Sequence, residues 1–274
     1  MEYRGRTAVV TGAGSGLGRA LTLELASRGA RVAASDIDGA GLDETVRRCG
    51  HGPNQIKAFV LDVSDRQAVL SHAQDVIAAF GGVNIVVNNA GVAVVATVEE
   101  TSFEDLDWLL GINLMGVING TKAFLPHLVR SGDGHLVNIS SVFGLVAPAY
   151  QGAYCTAKFG VRGFTECLRQ EMLIQGRPVS VHCVHPGGVR TNIARRARYG
   201  GDPAAFGSDP AGRFDRIART TPEVAARKIL AGVERNAPRI LVGTDAYVIA
   251  AIPRLLGARY LGLFARAGRR AFKA

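Results

Sequence analysis

The chain is predicted to fold as a single α/β domain, a doubly wound parallel sheet of about seven strands, extended by a basic amphipathic C-terminal tail. Three observations predict it. Seven short runs, at 7–12, 31–36, 56–63, 83–90, 134–141, 179–186 and 238–244, alternate with helix-like stretches. Most of these runs are almost continuously apolar, the pattern of parallel strands covered on both faces. The chain has 274 residues and is 47% apolar, which suffices for one large core, and no repeat or low-complexity linker divides it. The expected organisation is a body over 1–245, including an irregular loop over 190–221, and an extension over 246–274.

The first element is a strand that leads into a nucleotide-type turn. Thr7-Ala8-Val9-Val10 runs straight into Thr11-Gly12-Ala13-Gly14-Ser15-Gly16-Leu17-Gly18, and Arg19 to Arg28 reads as a helix. Gly12, Gly16 and Gly18 allow a tight turn. The backbone amides of the turn, including those of Ser15 and Leu17, can then approach a pyrophosphate at the positive end of the helix. The second strand ends in Asp36, whose carboxylate suits the hydroxyls of an adenosine ribose and repels a 2′-phosphate. Neither Ser15 nor Ile37 offers a basic side chain for such a phosphate. The expected cofactor is NAD.

Further along, Gly152 to Glu171 reads as one helix carrying Tyr154 and Lys158. Positions i and i+4 share a helix face, so the phenol and the ammonium point into the same space. A phenol titrates near ~10, and a fixed positive neighbour is expected to pull that value down. A tyrosine tuned in this way exchanges a proton with an alcohol near neutral pH.

Taken together, Thr11-Gly12-x-x-x-Gly16-x-Gly18, Asn88-Asn89-Ala90-Gly91, Tyr154-x-x-x-Lys158 and Pro186-Gly187 resemble the motifs of the short-chain dehydrogenase/reductase family in order and spacing, over about Arg4 to Thr244. The resemblance implies a Rossmann fold and a set of roles. The family's catalytic serine, thirteen residues before its tyrosine, falls on Ser141 rather than Ser140. Its asparagine matches Asn113 in Gly111-Ile112-Asn113-Leu114, where it would organise a water between Lys158 and solvent. The adenine-contacting acid matches Asp62, followed by Val63. Asn89, Ala90 and Gly91 would border the cofactor, and Pro186, Gly187, Val189 and Thr191 would border its nicotinamide. Lys158 would also hold the nicotinamide ribose. The helices at Asn113 to His127 and Gly152 to Glu171 resemble those that pair subunits in the family. The second carries Phe159, Phe164, Leu168 and, just beyond, Leu173, so a homodimer or homotetramer is expected. His185 stands where the family usually has Asn, and reads as a packed or solvent-facing variant rather than an extra catalyst.

Other chemistries find less support. Cys49, Cys155, Cys167 and Cys183 lack paired metal spacing, and the six histidines form no HExxH-type pattern, so no metal is expected. Cys155 points off the Tyr154 face and reads as small core filler. Ser141 lacks a Gly-x-Ser-x-Gly elbow, against a hydrolase. The chain enters its first strand almost at once, and the thiols suit a reducing compartment, so a cytoplasmic protein is expected.

The net charge of +9 is local. Residues 246–274 hold six basic side chains and no acid, and 190–219 hold seven Arg against three Asp, which leaves the body near neutral. Nucleic acid is therefore not an expected partner. The 190–221 loop, which in the family closes over substrate, has arginines able to attract an anion such as an acyl-CoA. On an ideal helix from Ala258, Arg259, Arg266, Arg269, Arg270 and Lys273 fall on one side and Tyr260, Leu261, Phe264 and Phe272 on the other. Gly262 and Gly268 weaken that helix. Such a tail suits either an anionic membrane surface or packing on the enzyme, a partner subunit or the substrate mouth. Pro253, Arg254 and Arg259 are expected to interrupt the apolar run short of the roughly 20 residues that span a bilayer.

The function expected is an NAD-dependent oxidoreductase interconverting a secondary alcohol and a ketone, with Tyr154 as general acid and base. Val142, Phe143, Leu145, Val146 and Pro148, between the serine and the tyrosine, favour an apolar substrate that is steroid-, retinoid- or lipid-like. The alternatives are an acyl-chain ketoreductase of lipid metabolism, against which Asp36 argues, and a non-catalytic NAD-binding protein, against which the intact Asn113, Ser141, Tyr154 and Lys158 argue.

Overall fold

The period-2 geometry of a strand sends successive side chains to opposite faces, and the first strand shows what that does here. Val9 packs into one apolar layer and Val10 into the other, both fully buried. The computed structural model describes residues 2–50, 55–201, 212, 216 and 218–271. In chain order the body is β1 (Thr7–Thr11), α1 (Gly16–Ser27), β2 (Arg31–Asp36), α2 (Gly39–Cys49), β3 (Ile56–Val60), α3 (Arg66–Phe80) and β4 (Ile85–Asn88). It continues through a short β5 (Val94–Val95), α4 (Phe103–Leu110), α5 (Gly116–Arg130), β6 (Gly134–Ile139), α6 (Gly152–Ile174) and β7 (Val179–Pro186). Last come a short β8 (Arg198–Tyr199), α7 (Pro222–Glu234), β9 (Arg239–Val242), α8 (Thr244–Leu256) and α9 (Tyr260–Ala271).

Seven strands form one parallel sheet in the order β3-β2-β1-β4-β6-β7-β9. The order reverses between β1 and β4, and in sheets of this kind ligands bind at such a reversal, beyond the carboxyl ends of the strands. One apolar layer joins Val10, Leu21, Leu25, Ile229 and Leu230. The other joins Val9, Phe124, Leu128, Leu136 and Met172. The doubly wound sheet expected from the apolar runs is the architecture found.

Several boundaries differ from the sequence reading. The strand read at 238–244 stops at Val242, because Gly243 turns with φ 100° and Thr244 opens α8. The helix around Asn113 begins instead as a π turn, Gly111–Met115, that leads into α5. Leu168, read as spare surface for a partner subunit, is buried beside Met172 in the core, whereas Phe159 and Leu173 are exposed.

The tail departs further. It forms two helices, α8 and α9, joined by a tight turn at Gly257–Arg259 in which Gly257 takes φ 52°. The 23-residue stretch Thr244–Arg266 is long and apolar enough to cross a membrane by length and composition, and none of its most apolar window is buried. The expectation that Pro253, Arg254 and Arg259 cut the apolar run short is thereby corrected: Pro253 is accommodated in the last turn of α8, and the run continues past the glycine. Phe272 and Lys273 lie outside the described residues, as do the Arg270 side chain and most of 202–217.

Candidate active site

The glycine turn is a cradle because no side chain fits in it. A Cβ on Gly12, which takes φ 68°, would lie 2.8 Å from Asn89 Nδ2, and one on Gly18 would collide with the Gly12 carbonyl. The Thr11 hydroxyl accepts from the Asn89 and Ala90 amides at 3.0 and 3.1 Å, and Asn89 Nδ2 donates to the Thr11 carbonyl at 2.8 Å. The Asn89-Ala90-Gly91 segment is thus stitched to the turn. Ser15, at the N-cap of α1, makes no capping hydrogen bond, and the first turn holds no acid. The first-turn amides of Gly16, Leu17 and Gly18 have no partner within the helix, which leaves a positive helix end open to an anion.

Asp36 ends β2 beside this turn. Its Oδ2 accepts from Gly14 N at 2.8 Å and its Oδ1 from Asp38 N at 2.9 Å. Each oxygen keeps further acceptor capacity for ribose hydroxyls. These residues fit a dinucleotide with free ribose hydroxyls. Asp62, by contrast, is exposed, and its Oδ1 accepts from Ser64 N and Ser64 Oγ at 2.8 and 2.7 Å. Val63 packs beneath Gly116.

Tyr154 and Lys158 lie one turn apart on α6, with the Lys158 ammonium 5.6 Å from the Tyr154 ring centre. The Tyr154 ring is half-buried, but its hydroxyl is enclosed. Burial pushes that hydroxyl up to about 12, while a hydrogen bond with Ser141 works in the opposite direction. This corrects the expectation of a phenol lowered by Lys158. The buried ammonium donates to the Ile139 carbonyl at 3.0 Å, and burial lowers Lys158 itself to about 8. Desolvation is the largest cause for both groups on this helix face.

The two adjacent serines are separated by their partners. Ser141 faces the phenol, and its Oγ also accepts from Phe143 N at 3.1 Å. Ser140 is buried and donates to the Lys158 carbonyl at 2.8 Å, holding β6 to α6. Asn113 is fully buried on the π turn. Its Oδ1 accepts from Val92 N and its Nδ2 donates to Val92 O, both at 2.8 Å. π turns recur at functional sites, and this one points an amide at the floor below Lys158. A Cβ on Gly91 would stand 3.3 Å from Asn113 Oδ1 and 3.7 Å from Lys158 Nζ, so the glycine lets these groups converge.

Pro186 ends β7. The next residues, Gly187 to Thr191, run past the glycine turn, where a Cβ on Gly16 would touch Thr191 at 3.2 Å. Val189 is buried and bridges to Thr220. One residue the sequence reading missed holds this segment: Asp245 Oδ2 accepts from Gly188 N at 2.6 Å, and its carboxylate fills the space a Gly187 side chain would need. An acid in the first turn of a helix was the available signal. His185 is fully buried and held by burial at about 4, so it is neutral at physiological pH. It is the packed variant of the two readings offered. Cys155 is buried with its thiol raised to about 11, as suits core filler.

Of the apolar segment after Ser141, Val142, Leu145 and Val146 are buried. Phe143 stands edge-on to Tyr154 at 6.2 Å and is the ring beside the site. The segment closes at Tyr150, an aromatic residue in the left-handed region at φ 66°, whose carbonyl accepts from Ala96 N at 3.1 Å.

The comparisons agree with this geometry. A family model for short chain dehydrogenase matches residues 6–200. Mycobacterium tuberculosis SadH, named as an oxidoreductase, is 49% identical over 267 residues, covering 96% of this chain and 95% of its own length. The 3-oxoacyl-[acyl-carrier-protein] reductase FabG of Thermotoga maritima is 34% identical over 230 residues, 84% of this chain and 91% of its own. A crystal structure of a short chain dehydrogenase/reductase from Burkholderia phymatum in complex with NAD superposes with a TM-score of 0.86 at 28% identity, covering 96% of each chain.

Proposed function

Because the chain belongs to the short chain dehydrogenase family, we propose that it is an NAD-dependent oxidoreductase interconverting an apolar secondary alcohol and its ketone. The observation that carries this reading is the meeting of Tyr154, Lys158 and Ser141. Gly12, Ser15, Gly16, Leu17 and Gly18 would hold the pyrophosphate, Asp36 the adenosine ribose, and Asp62 and Val63 the adenine edge. Asn89, Ala90, Gly91, Pro186, Gly187, Val189 and Thr191 would border the nicotinamide half. When bound, NAD supplies the hydride acceptor and NADH the donor.

The chain's own residues handle the proton. Ser141 Oγ donates to the substrate oxygen and steadies charge as it develops. In ketone reduction Tyr154 Oη gives its proton to that oxygen, and in alcohol oxidation it takes the proton back. A phenol raised by burial starts with its proton on, which suits the reductive direction. Lys158 binds the ribose and offsets charge on the phenol, and Asn113 anchors the floor beneath both. Phe143 and the neighbouring apolar wall favour a steroid-, retinoid- or lipid-like substrate.

Asp36 favours NAD over NADP, because a 2′-phosphate would meet a carboxylate. The enzyme is cytoplasmic in this reading and assembles as a homodimer or homotetramer through the outer faces of α5 and α6, where Phe159 and Leu173 lie exposed. The identity to the Thermotoga reductase supports a second reading, an acyl-chain ketoreductase. Purified protein offered a panel of secondary alcohols with NAD or NADP, and 3-oxoacyl thioesters with the reduced cofactors, tests both by the absorbance of reduced nicotinamide. Turnover of steroid or long-chain alcohols with NAD supports the first, and thioester turnover with NADPH alone replaces it with the second. No turnover of any member by wild type would sink both.

A further inference from the structure

We infer that α8 and α9 form a docking face for an anionic membrane surface, set beside the substrate mouth so that an apolar alcohol or ketone enters from lipid. The inference rests on the apolar-substrate reading for its purpose, though not for its physics. A helix that packs wholly on its own domain buries its large apolar side chains, whereas α8 buries Ala246 against the body and leaves larger ones outside. Tyr247, Val248, Ala251 and Leu255 share one face by helical spacing, and Val248 and Leu255 are 64% and 82% exposed. Leu256, at the end of α8, and Leu261 and Leu263, on α9, are exposed as well. Soluble domains rarely expose this many large apolar side chains along one segment without a partner.

The charge around the patch identifies the partner. Arg254 and Arg259 flank the turn, Arg266 and Arg269 are exposed on α9, and residues 246–274 contain no acid. A second copy of the same face would bring like charges together as the apolar surface was buried. An anionic lipid surface instead receives both components at once, the apolar side chains in the acyl boundary and the arginines among the headgroups.

The face is also tied to the site. α8 packs on the Val142–Gly144 turn that follows Ser141, and Tyr260 Oη accepts from Ala147 N at 3.3 Å. Tyr260 is braced edge-on by Phe264 at 5.3 Å. The patch and the segment leading to Tyr154 are therefore neighbours, and a bilayer seated on one lies against the entrance to the other.

The test is co-sedimentation of the full chain with vesicles of phosphatidylcholine alone or mixed with phosphatidylglycerol. Binding is expected to the mixed vesicles and to weaken as salt is raised, since the Debye length shrinks from ~10 Å at 0.1 M to ~3 Å at 1 M. The Val248→Asp/Leu255→Asp double variant, changed only at exposed positions, should lose binding by at least about tenfold, the equivalent of 1.4 kcal/mol, with an unchanged melting temperature. Absence of binding to the mixed vesicles at low salt, or equal binding by the double variant, overturns the inference. So does a drop in oligomer size in that variant, which would assign the face to a second copy. Turnover on a small water-soluble ketone is followed in parallel. Vesicle binding that fails while turnover persists removes only the docking face, and turnover that fails while binding persists removes only the enzymatic reading.

Discussion

His185 Nδ1 donates to the Ser141 carbonyl at 2.8 Å, joining the end of β7 to the residue that hydrogen-bonds the Tyr154 phenol. Nδ1 faces a carbonyl and therefore carries the proton, which leaves Nε2 as the acceptor. That atom is buried without a hydrogen-bond partner among the described residues. A buried imidazole left half-satisfied holds its place through one bond and its packing.

His185→Phe should therefore let the Ser141 backbone drift and lower kcat by roughly tenfold or more, with a smaller change in KM for NAD. His185→Asn, which restores a donor in less volume, should recover part of kcat. Steady-state kinetics on the three proteins checks this, and equal kcat in all three would remove any positioning role for the histidine.

The serine pair divides into chemistry and structure. Ser141→Ala should cut turnover by about 10²-fold or more, as for the loss of one donor to a developing oxyanion, with little change in melting temperature. Ser140→Ala should cost about 1 kcal/mol of stability, the usual value of one hydrogen bond, because its hydroxyl ties β6 to the Lys158 carbonyl. Calorimetry beside kinetics separates them. The reverse pattern would shift the catalytic register by one residue.

Cofactor choice turns on Asp36. The wild type should use NAD with a KM at least about tenfold below that for NADP, and Asp36→Arg should narrow or invert the ratio, each tenfold being about 1.4 kcal/mol. The variant also loses the acceptors for Gly14 N and Asp38 N, so its melting temperature should fall. Better use of NADP by the wild type would defeat the assignment.

The pH profile of ketone reduction follows from the two shifted groups. Tyr154 keeps its proton up to about 12, so the donor stays loaded across the accessible range. Lys158 is lowered to about 8, so its ammonium is intact below that value and lost as pH rises through it. Reduction should be flat at neutral pH and decline with an apparent pKa near 8, rather than near the ordinary tyrosine value of ~10. Rates measured from pH 6 to about 10 check it. A profile that falls only near 10 would return control to the tyrosine.

Local pattern was enough for the sheet and for most of the cradle. Buried parallel strands must be apolar on both faces, a turn against a pyrophosphate must be glycine, and two groups four apart on a helix must share a face. Each of these constraints acts over a few neighbouring residues, so the sequence by itself determined the seven strands, the turn at Thr11–Gly18 and the pairing of Tyr154 with Lys158. What only the tertiary structure decided depends on atoms far apart in the chain. Burial by the whole fold raises Tyr154 and lowers Lys158 against the simple charge argument. Ser140 and Ser141 differ only in what lies across from them. Asp245 reaches Gly188 across a sequence separation of 57, and Asn113 finds Val92 through a π turn that no residue spacing announced. In the tail, the helical period was visible, but the outward turn of the α8 apolar face depended on which side the body offered it. Desolvation and hydrogen-bond partners are properties of the assembled surroundings, and these appear only once the chain has packed.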